Sequence, residues 1–290
     1  MGYHTVSVVI PAYNAGRFIL EALESVFRQT YPVAQIIVID DGSTDNTKEL
    51  VDKEQGRVTY VFQANAGPGS ARNRGIRLSQ SEWIAFLDSD DCWEANHIEH
   101  LMERARRYEE AALIYSGKRW MDIHGKLMMD IPLQTTFPSG WIFKNLFHAN
   151  YISSTSVVMA RRKVLIDVGF FDEHFRHIAE DYDLWLRIAA IAPVIGVPEH
   201  TVLYRRHDNN LTHQTAKQIK ADLEVLQKAR SMITCGAVDK RNNPDSIEIR
   251  SRMKAFYTEA AVGLFTIGAY QQMRSLGIDA MMQRCLTSEL

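Results

Sequence analysis

An apolar run ends abruptly in three carboxylates at Phe86-Leu87-Asp88-Ser89-Asp90-Asp91. Carboxylates crowded at the end of a buried strand either bind a cation or raise one another's pKa. Their hard oxygens suit Mg²⁺ or Mn²⁺, which bridge one or two protein carboxylates to the phosphates of a substrate. The alternative is a solvated acidic turn that caps a helix beginning near Trp93. The choice between the two depends on what else lies at the same strand ends.

Strand and helix patterns alternate on both sides of this acidic segment. Strands are predicted at 6–10, 36–39, 58–62, 83–87 and 112–115, and helices at 17–29, 70–79 and about 93–109. Such alternation indicates right-handed βαβ units and a parallel sheet that is buried on both faces. The loops that follow the first four strands are 11–14, 40–45, 65–69 and 88–91. They share the carboxyl edge, where open α/β sheets bind ligands, so we expect them to line one pocket.

The loop after the second strand carries two acids, Asp40 and Asp41. The residues that follow them suit a turn and a helix cap, but a turn does not explain both acids. One of the carboxylates is expected to point into the crevice, where it can accept a hydrogen bond from a base N–H or a ribose hydroxyl. A second pair of acids at the same edge also favours the cation site over the acidic turn at residues 88–91.

Three other segments hold residues with more than one interpretation. The Gly-rich loop 67–70 lacks the ending of a P-loop and the third Gly of a dinucleotide fingerprint. Arg72, which follows it, either reaches a ligand or is structural, and Tyr13 either stacks on a base or belongs to the core. Glu180 and Asp181 open an amphipathic helix, where acids also suit the helix dipole.

After Tyr115 the pattern changes from regular alternation to irregular elements. A hairpin turn is predicted at 121–126, a strand at 154–159, a helix at 180–191 and a last strand at 201–206. The basic residues that close this last strand are Arg205, Arg206 and His207. They either contact a phosphate or a metal, or form a solvated basic turn. From about Thr215 the chain is mostly helical, with a break at 242–244.

Composition excludes several classes of protein. The 290 residues are 46% hydrophobic and 23% charged, which is typical of a globular chain and not of a disordered one. A net charge of −2 gives no support for nucleic-acid binding by bulk charge. The longest nearly apolar stretch, 188–197, is shorter than the roughly 20 residues of a membrane span. With three scattered cysteines and no leader-like start, we predict a cytoplasmic protein, free or peripheral to the membrane.

Six segments taken together resemble the family 2 glycosyltransferases of the GT-A fold. In chain order they are 7–14 (SVVIPAYN), 38–45 (VIDDGSTD), 65–75 (NAGPGSARNRG), 86–91 (FLDSDD), 180–185 (EDYDLW) and 204–207 (YRRH). Six motifs in order are far more specific than any one of them. The resemblance implies an α/β fold with a mixed, mostly parallel sheet flanked by helices. It implies a catalytic domain at 1–212, with a nucleotide-sugar half at about 1–91 and an acceptor half at 92–212.

The resemblance also implies a reaction and roles for individual residues. The reaction is an inverting transfer of a sugar from a nucleoside diphosphate sugar, most commonly a UDP-sugar in this family, to an acceptor hydroxyl. The acceptor would be a sugar, a lipid-linked sugar or another hydroxyl compound. Asp90 would bind Mn²⁺ or Mg²⁺, His207 would reach the metal or the diphosphate, and Asp181 would be the catalytic base. The residues implied at the nucleotide are Pro11, Ala12, Tyr13, Asp41, Arg72 and Asp88.

Two other functions are compatible with parts of this pattern. A sugar nucleotidyltransferase needs a basic, Gly-rich loop after the first strand, whereas residues 11–17 contain one Gly and one Arg. The second is a subunit that binds a nucleotide sugar without catalysis. The presence of Asp90 and Asp181 argues against it. The Gln-x-x-Arg-Trp signature of processive synthases is absent from the sequence, so we expect one sugar to be transferred per binding event.

The C-terminal region, 213–290, lies outside the resemblance. Helical patterns at 215–231 and 247–270 carry apolar stripes made of Ile219, Leu223 and Leu226 and of Phe256, Ala260 and Leu264. A helix must bury such a stripe. We expect these helices to pack on the acceptor side of the catalytic domain or against another subunit of a homo-oligomer. Simple structural support of the domain is the alternative.

Overall fold

An eight-stranded sheet lies at the centre of the computed structural model, which describes residues 4–54, 56–176, 178–207 and 216–266. The strands are β1 (Val6–Ala12), β2 (Gln35–Asp40), β3 (Thr59–Phe62), β4 (Trp83–Phe86), β5 (Cys92–Trp93), β6 (Leu113–Met121), β7 (Val158–Arg161) and β8 (Val194–Arg205). Their order in the sheet is β3-β2-β1-β4-β7-β6-β8-β5. Pairing is parallel for β1 with β2 and β4, β2 with β3, and β6 with β8. It is antiparallel for β7 with β4 and β6, and for β5 with β8, which confirms the predicted mixed, mostly parallel sheet.

Helices cover this sheet because its central strands are apolar on both faces. They are α1 (Ile19–Phe27), α2 (Thr47–Val51), α3 (Pro68–Leu78), α4 (His97–Arg107), α5 (Phe143–His148), α6 (Arg162–Asp167), α7 (Glu180–Ile191), α8 (Ala216–Thr234) and α9 (Ser246–Thr266). All seven residues of β1 are buried. Helix α3 approaches β1 so closely that a Cβ on Gly75 would lie 2.3 Å from Cγ1 of Val9. Glycine at this position therefore permits the contact between helix and strand.

The strand ends that matter for function meet at one edge. Because β7 runs antiparallel to both β4 and β6, strand β6 runs in the same direction as β1 and β4, and β8 runs parallel to β6. The carboxyl ends of β1, β2, β4, β6 and β8 therefore share an edge. Met121 ends β6 there and leads into the predicted hairpin, in which the Asp122 N–H donates to the Lys126 carbonyl at 2.8 Å. The left-handed φ of +81° at Gly125 completes this turn.

The predicted helix start near Trp93 is wrong. Cys92 and Trp93 form β5 and pair with Leu203 and Val202, and the helix α4 begins at His97. The reason is tertiary: the Trp93 side chain is buried and its indole N–H donates to the Ser156 carbonyl at 2.8 Å. The strand edge of β8 thus gains a partner directly after the acidic segment.

The predicted strand at 154–159 is also wrong in its first half. Thr155–Val157 form a 3₁₀ turn, in which the Ser154 hydroxyl accepts from the Ser156 N–H, and the strand begins at Val158. The hydroxyls of this turn are bonded to the acidic segment instead of lying in a ladder. Two further boundaries differ, since the strands predicted at 112–115 and 201–206 are longer in the structure. They extend because β6 and β8 pair along most of their length, with register shifts on both sides of Gly117.

The C-terminal helices pack on the part of the chain that follows the acidic segment. Helix α8 lies against α7, and α9 lies against α8. Leu223 and Leu226 of the predicted stripe are buried, and Ile219 packs partly buried against the same core. On α9, Phe256 and Ala260 are buried. The prediction for the Leu264 side chain, and that for the helix beyond residue 266, lie outside the described residues. No helix in the described ranges has both the length and the hydropathy needed to cross a bilayer.

Candidate active site

The acidic segment lies at the shared carboxyl edge, and its three carboxylates have different surroundings. The Asp88 side chain is 27% exposed and accepts from Arg72 Nη2 at 2.7 Å. The Thr155 hydroxyl lies 3.0 Å from both Asp88 carboxylate oxygens. Asp88 is therefore held in a fixed orientation by the protein while one side of it stays open to the cleft.

Asp90 and His207 are brought together from the segments that follow β4 and β8. Nε2 of His207 lies 2.8 Å from Oδ2 of Asp90, and the two side chains are 12% and 28% exposed. The His207 ring stacks on Phe18, with centroids 5.5 Å apart. A carboxylate and an imidazole are a suitable donor pair for Mn²⁺, with the other positions left to substrate oxygens. Among the described residues no group of three His, Cys, Asp or Glu side chains is placed to bind a metal together. The chemistry of this donor pair is compatible with a divalent ion.

Asp91 is a buried structural residue. It accepts from the Ser156 hydroxyl at 2.6 Å and from the Arg205 N–H at 2.9 Å. Burial raises its pKa well above the ordinary value, and the charges of Asp90 and Asp88 raise it further. The sequence suggested that neighbouring carboxylates raise one another's pKa. In the structure this effect acts on Asp91, the buried member of the segment.

Arg205 is neither a phosphate contact nor a member of a solvated basic turn. Its side chain is 1% exposed, and it pairs with Glu21 at 2.6 Å. Its Nε donates to the Asp90 carbonyl at 2.8 Å. Arg205 therefore fixes the backbone of the acidic segment, whereas Arg206 beside it is exposed.

The two acids at the end of β2 both accept hydrogen bonds from other groups of the protein. Asp40 accepts from the Tyr60 hydroxyl at 2.7 Å and from the Ser43 N–H at 2.7 Å. Asp41 accepts from the side chain of Gln63 at 2.7 Å. It also accepts from the N–H groups of residues 66 and 67 at 2.9 and 2.8 Å. Asp41 thus joins the loop after β2 to the loop after β3. One lone pair of its carboxylate remains open, and its use to accept a hydrogen bond from a base stays a prediction.

The end of β1 supplies the other predicted nucleoside contacts. Pro11 and Ala12 are the last two residues of β1, and both are buried. Tyr13 follows them and is 54% exposed, so the interpretation of Tyr13 as a core residue is wrong. An exposed ring at this edge is available for stacking.

Arg72 bridges the acidic segment and the first turn of α7. Its side chain is 6% exposed, with Nη1 2.9 Å from Oε1 of Glu180 and Nη2 2.7 Å from Asp88. Its Nε has no hydrogen-bond partner among the described residues. Both terminal nitrogens of the guanidinium thus pair with carboxylates. The predicted contact of Arg72 with a nucleotide would have to use its remaining N–H donors.

Asp181 follows Glu180 in the first turn of α7 and is partly buried. One of its oxygens accepts from the Tyr182 N–H at 2.7 Å. Burial raises the pKa of Asp181 to about 7, and the charge of Glu180 raises it in the same direction. A carboxylate that titrates near neutral pH is suited to accept a proton from a substrate.

The chain that leads into α7 has an unusual backbone. Phe170, Arg176 and Ala179 have left-handed φ angles of +66°, +51° and +63°. The Ala179 conformation turns the chain directly before α7, whose first turn contains Glu180 and Asp181. Glu180 then meets Arg72, which fixes the rotation of the first turn.

Sequence reasoning missed the residues that support the acids from the other half of the sheet. Thr155 and Ser156 donate to Asp88 and Asp91, and their only signal is a run of hydroxyl residues before a strand. Lys118 on β6 was also missed. A depression of about 680 Å³ between α1 and β5 contains none of the predicted site residues, so the candidate site is the open edge and not this depression.

Comparison with known proteins adds the family. A family model described as "Glycosyl transferase family 2" matches residues 7–169. An uncharacterized glycosyltransferase of Nostoc sp. is 37% identical over 241 residues, which cover 77% of this chain and 71% of the relative. One of Rickettsia typhi is 27% identical over 271 residues, covering 89% of this chain and 79% of the relative. The relatives of Rickettsia conorii and Rickettsia felis are longer, and the chain spans about a third of their length.

Solved structures add the fold. A crystal structure of S. aureus TarS in complex with UDP superposes with a TM-score of 0.63 at 18% identity, covering 87% of this chain and 70% of that one. A structure of TarS with UDP-GlcNAc gives a TM-score of 0.63 at 18% identity, covering 90% and 73%. At this identity the likeness shows a shared fold, and the predicted GT-A architecture is confirmed.

Proposed function

Because the chain belongs to glycosyl transferase family 2, we propose that it moves one sugar per binding event from a nucleoside diphosphate sugar to an acceptor hydroxyl, with inversion at the anomeric carbon. The observation that carries this proposal is the bridge from Asp88 through Arg72 to Glu180, which sets Asp181 beside the acidic segment. A cation-binding segment and a carboxylate with a pKa of about 7 then face the same cleft. A metal-assisted inverting transfer uses both of these functions.

We propose that the nucleoside binds at the ends of β1 and β2. The exposed Tyr13 ring is placed to stack on the base, next to buried Pro11 and Ala12. Asp41 holds the two loops that border this place and accepts from the base with its one remaining lone pair. TarS binds UDP and UDP-GlcNAc in structures of the same fold, and this supports a UDP-linked donor here.

Asp90 and His207 are the residues that would hold Mn²⁺ or Mg²⁺. A divalent ion held by these residues would supply positive charge to neutralise the leaving diphosphate. Asp88, oriented by Arg72 and Thr155, presents its open side to the ribose or to the water shell of the ion. Arg205 donates to the Asp90 carbonyl and so holds the backbone of the acidic segment in place.

Asp181 takes the proton in the proposed reaction. The acceptor hydroxyl oxygen attacks the anomeric carbon, the bond from that carbon to the diphosphate oxygen breaks, and the acceptor proton passes to Asp181. The electron pair of the broken bond leaves with the diphosphate. The acceptor is a sugar, a lipid-linked sugar or another hydroxyl compound. It enters the cleft from the half of the sheet that follows the acidic segment.

A hydrolysis screen tests this function without a known acceptor. Purified protein with Mn²⁺ is given a panel of nucleoside diphosphate sugars, and the released nucleoside diphosphate is measured with water as the acceptor. We expect release from at least one UDP-sugar and a fall of at least about a hundredfold for Asp181→Asn. Asp167→Asn, on the exposed helix α6, is the matched control and is expected to keep full activity.

Two results would contradict the proposal. Release of pyrophosphate from a nucleoside triphosphate and a sugar phosphate would identify a nucleotidyltransferase. Nucleotide-sugar binding without any release, in the wild type and under all metal conditions, would identify a binding subunit. Unchanged turnover in Asp181→Asn would leave the reaction in place but move the base to another group.

A further inference from the structure

Lys118 lies near the carboxylates of the candidate site, and the proposed chemistry does not use it. It is a half-buried residue of β6, and its Nζ donates to the Ser153 carbonyl at 3.0 Å. The ammonium lies over two rings, 3.9 Å from the centroid of Tyr204 and 4.8 Å from that of Trp120. The two rings meet edge to face, with centroids 4.9 Å apart. Cation–π attraction to both rings holds the ammonium in one place.

The ammonium has more donors than the protein fills. It carries three N–H groups, and the Ser153 carbonyl takes one of them. No carboxylate of the described residues lies within ion-pair distance of it, in contrast to Arg72, whose two ion pairs are 2.7 and 2.9 Å long. Burial lowers the pKa of Lys118 to about 8, against the charges of Asp91, Asp181 and Asp88. The remaining donors of this half-buried cation are therefore open to a ligand.

The position of Lys118 identifies which part of a ligand would accept. Ser153 leads directly into the turn whose hydroxyls hold Asp88 and Asp91, so the ammonium lies beside the acidic segment. The charge of Asp181 acts on it as well. In an inverting transfer the leaving diphosphate and the attacking oxygen are on opposite sides of the anomeric carbon. The sugar ring of the donor therefore lies between the acidic segment and Asp181.

We propose that Lys118 binds the sugar of the donor, its ammonium donating hydrogen bonds to oxygens of the sugar while the Trp120 and Tyr204 rings fix its position. This inference rests on the proposed function. Residues of β6 and β8, and not only the nucleoside pocket, would then contribute to specificity for the donor sugar. A cation that only balanced the acid cluster would be expected to pair directly with a carboxylate, as Arg72 does.

Binding measurements with and without the sugar separate these roles. Affinities for UDP and for UDP-GlcNAc, UDP-glucose and UDP-galactose are measured by calorimetry with Mn²⁺ for the wild type and for Lys118→Met. The comparison uses the UDP-sugar that the wild type binds most tightly. We expect Lys118→Met to weaken that UDP-sugar by about tenfold or more and to change UDP affinity less than about twofold. Lys126→Met, the same change in the exposed hairpin, is expected to alter neither.

A conservative variant separates hydrogen bonding from charge. Lys118→Arg keeps the positive charge but replaces the compact ammonium with a planar guanidinium, so we expect normal UDP affinity and a smaller loss of UDP-sugar affinity. Equal weakening of UDP and UDP-sugar in Lys118→Met, or an unchanged ratio of the two affinities, would overturn the sugar contact. If the wild type binds neither UDP nor any UDP-sugar, the proposed function fails instead.

Discussion

Replacing Arg72 with methionine would remove the cation that joins Asp88 to Glu180. The Arg72 and Glu180 side chains are 6% and 8% exposed, so the variant leaves a buried carboxylate without its partner. Removing one member of a buried ion pair costs about 3–5 kcal/mol. Asp88 is 27% exposed and keeps the Thr155 hydroxyl, so its share is less than about 1 kcal/mol.

The cost is limited because Glu180 can take up a proton. Burial already raises the pKa of Glu180, and the charge of Arg72 opposes that rise. Without Arg72 the pKa rises further, and each unit corresponds to about 1.4 kcal/mol. We therefore expect Arg72→Met to lose about 3 kcal/mol of unfolding free energy at pH 7. A carboxyl whose folded-state pKa exceeds its unfolded value gains stability as pH falls, so the loss should shrink toward pH 5.

Urea unfolding followed by tryptophan fluorescence at pH 7 and at pH 5 measures both values. Arg77→Met, on the exposed face of the same helix, is the control and should lose less than about 1 kcal/mol. The double variant Arg72→Met/Glu180→Gln removes the unpaired charge and should recover part of the loss. A single variant as stable as the control, or a double variant no more stable than the single one, would refute the reasoning.

Three other outcomes follow from the same structure. Asp90→Ala should abolish the increase in UDP affinity that Mn²⁺ gives over EDTA in calorimetry, and an equal affinity under both conditions in the wild type would contradict the metal role of Asp90 and His207. Turnover should rise with pH through about 7, since protonated Asp181 cannot accept a proton. A flat pH profile from 5.5 to 8.5 would argue against Asp181 as the base. Gly75→Ala should lower the unfolding free energy by about 1–3 kcal/mol, because its Cβ would meet Val9 at 2.3 Å, and an unchanged melting temperature would show that α3 can shift.

The elements set by local pattern were predictable from the sequence. The helix predicted at 180–191 has those bounds in the structure, because an acidic first turn and a buried apolar face both mark it. The strand ends at the acidic segments were likewise predictable, since apolar runs stop abruptly there. These two features were enough to bring residues of distant loops to one edge of the sheet.

The elements set by tertiary contacts were not predictable in this way. The two-residue strand β5 forms only because β8 offers an edge, and the turn at Thr155–Val157 forms where its hydroxyls reach the acids. The burial of Arg205 depends on Glu21, which is far away in sequence. Lys118 carries no local signal, since a lysine in a strand is usually solvated, and only the folded sheet places it in the cleft.

The left-handed residues before α7 have a consequence for how the protein could be stabilised. A non-glycine residue in this region costs on the order of 1–2 kcal/mol, and three such residues, Phe170, Arg176 and Ala179, precede the helix. The segment therefore stores conformational energy that the rest of the fold must supply. Glycine at such a position would release part of that energy but would loosen the entry to the first turn. Engineering for heat resistance and selection for turnover would thus oppose each other at the same few residues.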